Sequence, residues 1–260
     1  MHKRNTPQRR QHIVELVSQY GQISVQQLVQ LTQASAVTIR KDLTMLADEG
    51  LLLRNFGGAQ TLTNTAFLVV DDRVSESAAL ITGKQKIAKR AASLINDQSC
   101  ILLDSGNTTA AMLPFLDNKQ DVTLMTNCLQ IAQAVSALAQ APNLLLTGGT
   151  WDTASQSLQG KLAEQSVQAY DFEQLFIGAD SIDVDKGSTT FNELMQLSQL
   201  MARVAKQVVL LVEQKKVGRK MPNLELAWQD IDILITDCEF SPDDEQTIKQ
   251  AGVSILYANE

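Results

Sequence analysis

Residues 35–58 read SAVTIRKDLTMLADEGLLLRNFGG. Helical spacing predicts a helix from Ser35 to about Glu49, with Gly50 ending it. Ile39, Leu43, Leu46 and Ala47 share one face, Val37, Thr38, Lys41, Thr44 and Asp48 share the other, and Arg40 lies on the flank. Beyond Gly50, LLLRNFGGAQTL holds two short strand-like runs around Arg54-Asn55-Phe56-Gly57-Gly58, the pattern of a glycine-containing hairpin.

Upstream, two further helices fit the same reading. Residues 7–20 put Ile13, Leu16, Val17 and Tyr20 at helical spacing, with Thr6 as N-cap, Pro7 at the first helical position and Gly21 as the stop. A second helix opens at Ser24, where Ser24 and Gln27 have capping-box spacing, and Val25, Leu28 and Leu31 supply its apolar stripe. Three short helices and a hairpin make a winged helix-turn-helix layout. In that layout the N-terminal residues of the third helix meet base edges in the major groove. Ser35 and Thr38 then offer hydroxyls, Val37 an apolar contact for a thymine methyl, and Arg40 and Lys41 cations for guanine or phosphate. Arg54 in the wing becomes a second backbone or minor-groove contact. By itself, such a helix also reads as an amphipathic surface helix with solvated charges.

Charge is divided unevenly along the chain. The 260 residues carry a net charge of −7. Residues 1–60 hold seven Lys and Arg against four Asp and Glu, whereas the remainder holds fifteen against twenty-five. A mildly basic head on an acidic body is expected to meet nucleic-acid phosphates through the head alone. Cys100, Cys128 and Cys238 are far apart and odd in number, which fits buried thiols of a cytoplasmic protein and no disulfide framework. With only His2 and His12 available, neither a zinc centre nor any other metal or cofactor is expected. No apolar run approaches the roughly 20 residues of a membrane span, and no signal-peptide core follows Met1, so no membrane partner is expected.

The first of these stretches resembles a known family. Arg9, Ile13 and then Ser35, Thr38, Ile39, Arg40, Lys41, Asp42, Leu43, Leu46, Gly50, Arg54, Phe56, Gly57 and Gly58 are similar to the signature of the DeoR family of bacterial transcriptional repressors. The resemblance implies operator DNA as partner. Asp42 is expected to cap or pair within the domain, because a carboxylate repels phosphates.

From Lys84 the pattern becomes helices alternating with short Leu-, Ile- and Val-rich runs, which predicts a largely parallel sheet covered on both faces. The expected domains are residues 1–60, a connector at 61–80 and an α/β domain at 81–260. Strand 100–104 ends at Asp104, and Ser105-Gly106-Asn107-Thr108-Thr109 opens the next helix. Small hydroxyl residues, a glycine and a helix start at the carboxyl end of a parallel strand can cradle an anion. The same residues also fit an ordinary turn capped by Thr108. Polar residues at other strand ends, Asn127, Gly148-Gly149, 177–183, 186–193 and 213–220, point to one convergent pocket.

These loops also resemble the effector domain of the DeoR family, which implies the fold of the sugar-phosphate isomerases. Within the family they look most like the glucitol operon repressors. Carried over residue by residue, the resemblance implies that Asp104, Ser105, Gly106, Asn107, Thr108 and Thr109 hold a phosphate. Asn127, Gly148, Gly149, Asp180, Lys186, Asn192, Glu193 and Lys216 would line the rest of the site. At 213–216 the family's Asp-x-Ser-Lys is replaced by Glu213-Gln214-Lys215-Lys216. The function implied is a repressor of a sugar or sugar-alcohol operon, released or modulated by a phosphorylated sugar or polyol. One winged helix reads few base pairs, so a homodimer or homotetramer is expected. The competing class is a working isomerase fused to the DNA-binding head, with Asp180, Asp183, Lys186 and Glu193 as its acid, base and lysine set.

Overall fold

The structure is a computed structural model that describes residues 6–20, 22–49, 51–55, 58–60, 82–153, 155–192, 195–219 and 221–259. The chain divides into two compact units, Met1–Val70 and Asp71–Glu260. The connector expected at 61–80 and the helix-ending Gly21 and Gly50 lie outside the described residues.

The first unit contains α1 (Thr6–Tyr20), β1 (Gln22–Ser24), α2 (Val25–Thr32), α3 (Ala36–Asp48), β2 (Leu53–Asn55) and β3 (Gly58–Gln60). The start of α2 acts as the residues predict, whereas Thr6, expected as the N-cap of α1, is already its first helical residue and Pro7 its second. The Ser24 hydroxyl accepts from the Gln27 N–H, and the Gln27 side chain accepts from the Ser24 N–H at 3.0 Å, forming a complete capping box. Ile13, Val17, Leu28, Ile39, Leu43 and Leu52 bury almost completely into one core. Leu31, expected in that stripe, is 47% exposed within the unit, because α2 turns only Val25 and Leu28 fully inward. The wing has a third strand: β3 pairs with both β2 and β1, all antiparallel. That pairing explains Gly58, where a Cβ would stand 2.3 Å from the Ile23 carbonyl oxygen.

The second unit is built on seven parallel strands: β4 (Cys100–Leu103), β5 (Thr123–Thr126), β6 (Asn143–Leu146), β9 (Phe172–Gly178), β12 (Ala205–Val212), β14 (Ile233–Thr236) and β15 (Ser254–Tyr257). Alternate residues of their apolar runs supply two cores. Ile101, Leu103, Phe176, Val209 and Leu211 pack with Ile87 and Ala91 of α4 (Gly83–Ser93) and Ile131 and Val135 of α6 (Leu129–Ser136). Leu102, Leu175, Ile177, Val208 and Leu210 pack with Val167 of α7 (Lys161–Gln168) and Leu200 and Met201 of α8 (Gln196–Val204). Each such side chain, fully buried, contributes about 1.5–3 kcal/mol. A last helix, α9 (Pro242–Gln250), sends Ile248 into the second of these cores.

Strand order fixes where a ligand can enter. The sheet runs β15-β14-β12-β9-β4-β5-β6, so the chain steps outward from β4 to β6, returns beside β4 at β9, and steps outward the other way. The carboxyl ends of β4 and β9 therefore flank the topological switch point, the crevice where open parallel sheets bind ligands. An Asp104 N–H to Phe176 carbonyl bond of 3.1 Å ties the two strands together there.

Two small antiparallel elements were not expected from the sequence. One is the hairpin of β7 (Thr150–Asp152) and β8 (Ser157–Gln159). The other is a three-stranded sheet of β10 (Ser181–Asp183), β11 (Gly187–Thr190) and β13 (Asn223–Ala227). The Gly-Ser-Thr-Thr run of β11 is fully buried yet polar and small, so no apolar period marks it as a strand.

Candidate nucleic-acid interface and candidate effector site

In the first unit α3 begins at Ser35, whose hydroxyl accepts from the Thr38 N–H at 3.2 Å and lies 2.8 Å from the Thr38 hydroxyl. Both hydroxyls thus shape the helix start they were expected to offer to DNA. Val37 is 75% exposed, and Arg40 and Lys41 are exposed as well, so an apolar group and two cations stand off the core face. The backbone of Arg54 lies in β2, and its side chain lies outside the described residues. Asp42 is turned inward and 2% exposed, with its two oxygens 2.6 Å from Arg9 Nε and 3.0 Å from Arg10 Nε. Burial alone would raise its pKa. The hydrogen bonds from Arg9 and Arg10 outweigh burial and hold the carboxyl below its usual range. This pair of bonds fastens α1 to α3.

In the second unit the loop after β4 closes on itself. The Thr109 hydroxyl lies 2.8 Å from the carbonyls of both Asp104 and Gly106, and Thr108 and Thr109 are buried. Thr109 therefore braces the loop, where the sequence had its hydroxyl contacting a phosphate. The helix α5 (Asn107–Ala110) takes Gly106 as its N-cap with no side-chain cap bond, so Thr108 is not the cap. No side chain caps the first N–H groups of this four-residue helix, two of whose residues, Thr108 and Thr109, are themselves buried. Gly106 has extended backbone, φ −174°, which any residue adopts, and its constraint is space: a Cβ would lie 3.2 Å from Thr109 Oγ1.

Asp104 is half-buried, and burial pushes its carboxyl up to about 6, against the lowering effect of the Ser105 N–H and hydroxyl and the Asn127 amide. Asn127 follows β5 and is 1% exposed. Its amide is near enough to favour the Asp104 carboxylate, yet neither Nδ2 nor Oδ1 has a partner in hydrogen-bond geometry. Leaving such a group unsatisfied costs on the order of 1–3 kcal/mol. Across the switch point Asp180 accepts from the Thr190 hydroxyl at 2.7 Å, and Lys216 Nζ donates to the Ala179 carbonyl at 2.6 Å. Burial lowers the Lys216 pKa, and Asp180 and Glu213 oppose that shift. Among the described residues, no three His, Cys, Asp or Glu side chains gather in a way that could hold a metal ion.

Residues 9–65 match the DeoR-like helix-turn-helix domain, and residues 80–238 match the DeoR C terminal sensor domain. The chain belongs to the DeoR family. It is 35% identical over 257 residues, 98% of this chain and 95% of the other, to a protein of Escherichia coli O157:H7 named for repression of the aga operon. It is 31% identical over 250 residues, 96% of each chain, to the transcriptional regulator GlpR of Haloferax volcanii. A solved ribose 5-phosphate isomerase from Methanocaldococcus jannaschii matches at TM-score 0.39 and 20% identity, covering 53% of this chain and 54% of that one, a likeness that says nothing about activity. As a DeoR-family member the protein is a transcriptional regulator with a DNA-binding head and a sensor domain built on a parallel seven-stranded sheet. No described helix is long and apolar enough to cross a membrane.

Within this DeoR-family sensor the other expected residues separate into groups. Gly148 and Gly149 follow β6 at φ +66° and +121°, and a Cβ at Gly149 would meet the Gln159 carbonyl at 2.5 Å, so these glycines serve the turn into β7. Asn192 is held through its backbone, its N–H donating to Thr190 Oγ1 at 3.0 Å and its carbonyl accepting from Asn223 at 3.1 Å. Glu193 lies outside the described residues. Lys186 sits in the turn between β10 and β11, 3.2 Å from Asp183. Asp180 precedes the opposite end of β10, three residues from Asp183, or about 10 Å along extended chain. The set proposed for an isomerase is therefore split along the hairpin.

The sequence reading missed two groups. Glu225 on β13 has its carboxyl pushed up to about 8, by burial first and then by Asp104 and Asp180, while Ser198 and Lys216 act the other way. Lys84, at the start of α4, is lowered by burial and lies within electrostatic reach of Glu213 and Lys216. The alternation Leu224-Glu225-Leu226 was the available signal for β13, but three residues are too short a period to separate from a loop.

Proposed function

We propose that this protein represses a sugar or sugar-alcohol operon and that a phosphorylated sugar or polyol, bound at the β4–β9 crevice, changes its hold on operator DNA. The observation carrying the reading is the junction of the uncapped 105–109 turn with the unpartnered Asn127 amide at the switch point. Ser105 and the first N–H groups of α5 take the phosphate, and Lys216 and Lys84 supply positive charge beside it. Asp104 and Asp180 accept from sugar hydroxyls. Asp104 does not meet the phosphate directly, since two anions at hydrogen-bond distance repel. In the head, Val37, Arg40 and Lys41 meet the groove and backbone, with Arg54 as the wing contact. A dimer or tetramer sets two heads on repeated half-sites. The likeness to glucitol operon repressors favours a hexitol phosphate among the effectors. A thermal-shift screen of hexose and hexitol 6-phosphates, followed by operator gel shifts with each hit, tests the reading. A hit that raises the melting temperature and alters operator affinity supports it, and a panel with no hit overturns it.

A further inference from the structure

The register of the small antiparallel sheet singles out one residue. β11 and β13 pair Ser188 with Leu226 and next pair Thr189 with Leu224, which leaves Glu225 with no residue opposite. It is the extra residue of a β-bulge, a device that breaks the alternation of a strand and re-aims a side chain. Here the re-aimed group is a half-buried carboxyl within reach of the Ser198 hydroxyl on α8, while Gln199 Nε2 donates to the Glu225 main-chain carbonyl at 3.2 Å.

The charged groups that act on Glu225 come from three other places in the fold: Asp104 after β4, Asp180 after β9 and Lys216 beyond β12. An acidic cluster alone implies no ligand. The second observation is Asn127, buried beside Asp104 with both amide atoms unpartnered. A ligand carrying several hydroxyls would satisfy that amide and the carboxyl groups together.

We propose that Glu225 is an effector-recognition residue that, as a neutral carboxylic acid, donates a hydrogen bond to a ligand hydroxyl. The inference rests on the β4–β9 crevice being the effector site. A hydroxyl needs both a donor and an acceptor for full satisfaction, and Asp104 and Asp180, when ionised, only accept. A third ionised carboxylate would also repel the ligand's phosphate, so the acid form serves both needs. Burial already holds this group protonated at neutral pH, with its midpoint at about 8. Ligand affinity should then fall as pH rises through that value.

The test uses the full-length protein, with glucitol 6-phosphate, the hexose 6-phosphates of the screen and inorganic phosphate as probes, at about pH 7 and about pH 9. Both values lie above the second phosphate ionisation, near 6, so the probe keeps one charge state. For a midpoint of about 8, wild-type affinity for the sugar phosphates weakens about tenfold between the two conditions. Glu225→Gln, which keeps an N–H donor, binds within about threefold of wild type at pH 7 and loses the pH dependence. Glu225→Leu loses at least about tenfold for sugar phosphates at pH 7 but not for inorganic phosphate. Wild-type binding by the Leu variant, or an unchanged pH dependence in the Gln variant, overturns the proposal. Should the Leu variant fail to fold, the Gln variant decides alone. Gly106→Val separates the two levels of the argument. If it abolishes binding while both Glu225 variants behave as wild type, only the role of Glu225 fails. If it binds as wild type, or if no probe binds the wild type, the effector site and this inference fall together.

Discussion

The two units place their chemistry in opposite ways. In the head, Val37, Arg40 and Lys41 stand outside the core on α3, and Asp42, the one buried carboxylate among the described side chains, is paired with Arg9 and Arg10. In the sensor, Asp104, Lys216 and Glu225 are half-buried, and Asn127 is fully buried and left unpartnered. DNA is a large polyanion met by exposed cations. A small hydroxylated ligand gains selectivity only where water is excluded and each polar group has a designated partner. The head pairs its buried carboxylate internally, whereas the sensor leaves a buried amide without a partner.

The largest expected effect is on the sensor. Gly106→Val should keep operator binding and lose the response to effector, because a branched side chain must displace Thr109 Oγ1 or fill the approach to the loop backbone. Reporter expression would show permanent repression, and a normal induction midpoint would remove the 104–109 loop, and with it the β4–β9 crevice, as the effector site. Next, Arg40→Ala and Lys41→Ala should each weaken operator binding by about tenfold and lower the slope of log K against log salt by about one. Fluorescence anisotropy across a salt series checks this, and a variant that binds as wild type at every salt concentration removes that residue from the interface.

Stability against pH sharpens the contrast, since the two units should respond with opposite signs. Asp42 titrates below its unfolded value, so its stabilisation is present above about pH 4 and is lost as pH falls through the folded value. Asp42→Ala should cost the head about 1–3 kcal/mol at neutral pH, read by urea unfolding of the full chain with a probe in the head. Loss of that difference under strongly acid conditions is the accompanying check. The smallest effect belongs to the sensor carboxyls. Asp104 and Glu225 titrate above their unfolded values, at about 6 and about 8, so the native state binds more protons and stability falls as pH rises through that range. Glu225→Gln should therefore raise the sensor's melting temperature by a few degrees at pH 8.5 and by less at pH 5. A variant that melts lower than wild type at pH 8.5 would show that the charged form is stabilised, against the reading given for this site.

The winged head was legible in the sequence because its signals are local. Capping at Ser24 and Ser35, the helical spacing of Ile39 and Leu43, and the glycine-bearing hairpin each lie within one or two turns of chain. The apolar runs of β4, β5, β9 and β12 and the 104–109 turn were legible for the same reason. Strand order was not, because pairing β9 beside β4 joins residues about seventy positions apart, and no period in either segment encodes the other. Tertiary structure alone therefore made the 104–109 turn half of a switch-point crevice, assigned Arg9 and Arg10 to Asp42, and separated Lys186 from Asp180 along a hairpin. It also decided Glu225, whose aim depends on a bulge that exists only once β11 and β13 are in register. Local sequence sets what each element is and which face it buries. The long-range packing of those elements sets which polar groups lose their water together, and that shared desolvation is what makes a site.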